Sequence, residues 1–75
     1  MAKFNVGDTV QLMSGGEVMT VNQVYEENAS GVLAMAYNRM KMAHPDATVF
    51  YGCTWFKGKD LQNSTFREEV LKKAE

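Results

Sequence analysis

Gly15 and Gly16 separate two stretches in which apolar and polar residues alternate. Before them, Val10 and Leu12 point one way, and Thr9, Gln11 and Met13 the other. Phe4 and Val6 extend the inward set. After them, Met19 and Val21 share a face of the run from about Val18 to Tyr25. A period of two is the signature of a half-buried strand. Two such runs joined by a glycine pair predict a tight β-hairpin, because the favoured turns need positive φ, which glycine adopts without steric cost. A phosphate-cradling glycine loop would feed a helix N-terminus and carry a Lys-Ser/Thr pair. Here the glycines feed a strand and no such lysine follows, so Gly15 and Gly16 are read as structural. Val24 falls out of phase with Met19 and Val21, which predicts a bulge.

The rest of the chain divides as sharply. Val32 to Ala43, VLAMAYNRMKMA, is dominated by strong helix formers, and a helix is expected over about 31–43. Ser30 is the expected N-cap. His44-Pro45 ends the helix, because the residue before proline avoids the α region. From Ala47 to Phe56, Val49, Tyr51, Cys53 and Trp55 alternate with Phe50, Gly52, Thr54 and Phe56. Aromatic residues on both faces predict a strand covered on both sides. Lys57-Gly-Lys-Asp60 turns the chain, and Leu61 to about Ser64 forms a short fourth strand. Thr65-x-x-Glu68 matches a capping box, and FREEVLKKA has acids early and lysines late. A short C-terminal helix is expected there, burying Phe66, Val70 and Leu71.

A chain of 75 residues makes one domain with one small core. Domains of this size gain support from disulfides, a metal or oligomerisation. Cys53 is the single cysteine and His44 the single histidine, so neither an internal disulfide nor a zinc set is available. Oligomerisation is the support left. No apolar run approaches the roughly 20 residues of a membrane span. MAKFNVGD has no signal-peptide core, and a free thiol with six methionines suits a reducing cytoplasm. The net charge is −1 and the basic residues are scattered, which argues against nucleic acid as the main partner.

Two segments, FNVGDTVQLMSGGEVMTV and YGCTWFKGKDLQNSTFREEVL, resemble the YodC family of small bacterial proteins. The shared frame is Val-Gly-Asp-x-Val-x-Leu-x-Ser-Gly-Gly-x-x-Met-Thr-Val, then Cys-x-Trp-Phe-x-Gly, then Phe and Leu near the C-terminus. The resemblance covers about half the chain and implies a small SH3-like β-barrel, found in bacteria and often in prophages, without assigning a function. Residues 26–47 are longer than the connection typical of that family, and the methionine-rich helix lies in them. The expected fold is therefore mainly β: one SH3-like domain over 1–75, with a helical insert at about 26–47 and a short C-terminal helix.

Candidate sites follow from the same residues. On a helical wheel Leu33, Ala36, Tyr37 and Met40 form one apolar stripe, with Ala34, Asn38 and Lys41 on the solvent side. Val32, Met35 and Met42 form a second stripe, interrupted only by Arg39. Together they exceed the apolar width that one core requires of a surface helix. The surplus, Val32, Met35, Arg39 and Met42, is the candidate partner surface, with a homodimer as its simplest occupant. Phe50, Phe56, Lys57 and Lys59 make a candidate aromatic and basic face for peptides or single strands. Trp55 is expected inside, Phe56 partly covered, and Cys53 a buried hydrophobe. No spacing supports a catalytic set or a cofactor. The expected function is a non-enzymatic interaction module that binds protein, itself or a partner, as a phage or prophage accessory protein inhibiting a host system. A nucleic-acid-binding module and a small-ligand (nucleotide) binder are the alternatives.

Overall fold

The computed structural model describes residues 2–74. Strands β1 (Thr9–Leu12), β2 (Met19–Tyr25), β3 (Phe50–Lys57), β4 (Asp60–Arg67) and β5 (Leu71–Lys73) form one antiparallel sheet in the order β4-β3-β2-β1-β5. Helix α1 (Val32–Ala43) lies between β2 and β3 in sequence, and a 3-10 turn at Glu68–Val70 joins β4 to β5. The mainly β class and the helix are as the sequence predicts. The sheet stays open, with β4 and β5 as its two edges, so the expected barrel does not close.

Gly15 and Gly16 have φ of 103° and 105°. The loop they serve is wider than a tight hairpin, running from residue 13 to 18. It is held by Gly15 N–H donating to Leu12 O (2.8 Å) and by the Gln11 side-chain amide donating to Gly16 O (2.7 Å). The predicted bulge is present: the β2–β3 register shifts between Val21 and Gln23. That shift lets Val24 rejoin Val21 on the core side, where it packs on the main cluster.

That cluster contains Phe4, Val10, Met19, Val21, Val49, Tyr51, Cys53 and Leu71. Its face of β3 alternates with the face of Phe50, which is buried with Tyr37 of α1 and Ala47, beside Tyr25 and Met40. So β3 is covered on both sides, by the curled sheet and by the helix. Tyr51 is fully buried and its hydroxyl is a junction. It donates to Glu68 Oε2 and accepts from the backbone N–H groups of Lys3 (2.9 Å) and Phe4 (3.2 Å). Its ring meets Phe4 edge-on at 5.2 Å. Burial, with the Glu68 carboxylate as acceptor, pushes its pKa up from 10.0 to about 12.

Three local expectations are corrected. The C-terminal helix is replaced by the end of β4, the 3-10 turn and β5, so Thr65 is a strand residue and not a cap. Leu71 pairs with Leu12, giving β1 its second neighbour, and long-range pairing outweighs a helix preference that is weak in so short a segment. The N-cap of α1 is Gly31, at φ 65° with no side-chain hydrogen bond, and not Ser30. Lys41 is partly buried, its ammonium donating to Ala47 O, and does not project freely into solvent.

Two outcomes are expected. A Cβ at Gly16 would meet nothing within 4 Å, so Gly16→Ala should cost only backbone strain, about 1–3 kcal/mol in urea unfolding. Unchanged stability would show that the turn does not need glycine. The second concerns alkaline pH. Burial also raises the Cys53 thiol, from 9.0 to about 11. Cys53 and Tyr51 are both held neutral by the fold, so the native state keeps protons that the unfolded chain releases. Their stabilisation is complete below about pH 9 and is lost as pH rises through about 11 and 12. The urea midpoint should fall across that window, and at pH 8 a thiol reagent should modify Cys53 only after unfolding.

Candidate functional site

Helix α1 docks by one stripe and leaves the other bare. Tyr37 is buried, and its hydroxyl donates to Thr48 O at 2.9 Å. Leu33, Ala36 and Met40 beside it are half-buried. On the far side Val32, Met35 and Met42 are 81%, 69% and 83% exposed, and Arg39 between them is exposed as well. The structure therefore brings all four residues of the candidate partner surface onto one open stripe.

The aromatic and basic candidates do not come together. Phe50 is 1% exposed, edge-on to Tyr37 at 5.7 Å, so it belongs to the core beneath the helix and cannot serve a platform. Phe56 lies at the other end of β3 and is exposed, opposite the exposed Leu61 of β4. Lys57 and Lys59 flank Gly58 in the adjoining turn, both exposed. Phe56 is thus not covered by the C-terminal segment. Trp55 is half-buried, packed on the main cluster with its ring 6.5 Å from Phe66. It sits at the margin of the core and not at its centre.

The fold also forms a cleft that the sequence reading missed. It lies between the C-terminal half of α1 and strand β4, with a volume of about 390 Å³. Arg39 and His44 border it from the helix side, and Thr65, Phe66 and Arg67 from the strand. In a C-terminal helix, nothing would join Arg67 to Arg39. With residues 60–67 paired as a strand along the whole of β3, Arg67 stands opposite Phe50 and borders the same cleft as Arg39.

Cys53 is buried and its thiol is pushed up, away from the thiolate that a nucleophile requires. Burial raises the Tyr37 phenol, with the Glu27 charge adding to it. Among the described residues no three His, Cys, Asp or Glu side chains gather where a metal ion could be held. No helix of the described residues is long and apolar enough to cross a membrane.

No curated protein and no solved structure matches the chain. A family model does, over residues 5–71, which takes in β1 to β4, the helix, the first residue of β5 and the bordering residues of the cleft. The chain belongs to the family described as "Uncharacterized small protein (DUF2158)".

Proposed function

We propose that this chain is a non-enzymatic interaction module that binds protein, first of all a second copy of itself, through the outward stripe of α1. The observation that carries this reading is the exposure of Val32, Met35 and Met42 opposite the docked stripe. With Arg39 they are spaced three, four and three residues apart, the alternation of a seam between two helices. Methionine suits such a surface because its side chain adapts to the shape it meets. The Arg39 stem can lie along the seam while its guanidinium stays in water. In a two-fold antiparallel arrangement Val32 faces the partner's Met42, and Met35 faces the partner's Arg39. A single twelve-residue helix face falls short of the roughly 800 Å² that each side of a standard interface buries, so the dimer is weak.

The resemblance to the YodC family supports a bacterial, prophage-associated setting, and the free thiol with six methionines a cytoplasmic one, in which such a module acts as an accessory protein that inhibits a host system by binding it. A second reading, nucleic-acid binding, is favoured by one observation: exposed Phe56 stands beside Lys57 and Lys59. Retention on single-stranded DNA that falls steeply with salt, and is lost in a Lys57→Glu, Lys59→Glu variant, would support it.

Light scattering across the micromolar range tests the leading reading. Wild type should move from one towards two chain masses with concentration, and a Met35→Glu, Met42→Glu variant should stay monomeric. A wild type that remains monomeric throughout overturns self-association. A dimer that survives both substitutions places the interface elsewhere.

A further inference from the structure

The lining of the cleft beside β4 is one-sided in charge. The chain as a whole carries a formal charge of −1, with acids and bases interleaved. The cleft is bordered by Arg39, Arg67 and His44, and by no carboxylate. Asp46 and Glu69 lie close in the fold, but they border the adjoining groove, which shares His44 and Arg67 with this one. Two guanidiniums border one cleft whose own lining holds no carboxylate, and they offer their forks to an anion. Arginine is the side chain best matched to carboxylate and phosphate, which it can hold by two parallel hydrogen bonds.

The remaining border has two chemical characters. Thr65 adds a hydroxyl, and the His44 ring a further hydrogen-bonding group. Met40, Phe66 and Val70 supply an apolar side, each half-buried and leaning on one of the two cores. Cleft volumes of about 300–1,000 Å³ are those of small-molecule sites, lined by apolar groups with a few convergent polar ones. At about 390 Å³ this cleft is at the small end of that range, the size of a single ring with its substituents.

We propose that this cleft binds a small organic anion whose phosphate or carboxylate head is held between Arg39 and Arg67 and whose apolar or aromatic body rests on Met40, Phe66 and Val70. The cleft shares Arg39 with the outward stripe but contains none of Val32, Met35 and Met42, so anion binding that persists in the Met35→Glu, Met42→Glu variant separates this proposal from self-association. The anionic head identifies the chemical class, and the source is either a phosphate monoester or a free carboxylic acid. A nucleoside monophosphate is one compound of the first kind.

Phenyl phosphate, benzoate, adenosine 5′-monophosphate, inorganic phosphate and neutral benzyl alcohol are titrated at fixed ionic strength, and backbone amide shifts are followed by NMR. At least one of the three organic anions should shift the amides of 39–44 and 65–70 saturably in the millimolar range or below. Inorganic phosphate and benzyl alcohol should each bind at least tenfold more weakly. The arm that saturates first distinguishes phosphate monoester from carboxylate. Arg67→Gln should weaken binding about tenfold or more. Arg39 is exposed on the helix, so Arg39→Gln should do the same without disturbing the fold, which keeps the test decisive if Arg67→Gln is unstable. No saturable shift up to 10 mM with any organic anion overturns the proposal. So does binding undiminished in Arg39→Gln, or equal binding of inorganic phosphate.

Discussion

Phe50 and Tyr51 are consecutive residues of β3, they point to opposite faces of the sheet, and both are buried. Everything else is arranged to keep them so. On the Tyr51 side the sheet curls over a cluster that includes Phe4, brought in from the N-terminal segment, and Leu71 from the last strand. A buried phenol must find hydrogen-bond partners, because an unmet one is costly. Tyr51 finds three, on the N-terminal segment and on the 3-10 turn. One hydroxyl therefore ties together parts of the chain that no strand pairing joins. On the Phe50 side the cover is α1, anchored by the Tyr37 ring on Phe50 and by hydrogen bonds from Tyr37 and Lys41 to the backbone of Thr48 and Ala47. The connection between helix and strand is thus held by the helix it follows.

With neither a disulfide nor a metal set, the chain relies on two small apolar clusters with clean polar satisfaction. No polar or charged residue is buried among those described, and no buried side-chain nitrogen or oxygen lacks a partner. The open sheet has a different consequence. Its edges are β4 and the three-residue β5, and short or polar edges resist unwanted pairing. Lys72 and Lys73 on β5 and the run Gln62 to Thr65 on β4 fit that role.

What the sequence made legible was local. Alternation around Val10 and Met19, the glycines with positive φ, the out-of-phase Val24 and the helix-forming run each depend on near neighbours. The structure agrees with them closely, to within a residue for α1. The C-terminal segment departs from its local signals, Thr65 with Glu68 and acids before lysines, because those signals are real but weak. What decides its conformation is that β3 offers a pairing partner for eight residues and β1 offers one for three more. The same distance effect hid the cleft, since only the strand assignment carries Arg67 back to Arg39. Phe50 was misplaced for a related reason. Alternation gives two faces to a strand without saying which is wet, and the helix that covers Phe50 lies one connection earlier.

The helix is then required by the fold on one side only. Without α1, Phe50 and Tyr25 would face water, so the Tyr37 stripe is explained by the sheet it covers. Val32, Met35 and Met42 cover nothing within the chain. Polar residues there would serve folding and solubility at least as well, because scattered single exposed hydrophobes are ordinary but an aligned set on one helix face is a patch. The helix formers Glu, Lys and Gln have propensities as good as methionine and better than valine, so helix stability does not explain the choice either. Neither the core nor the helix accounts for these three residues. That is why the proposed function rests on the stripe and not on the aromatic end of β3.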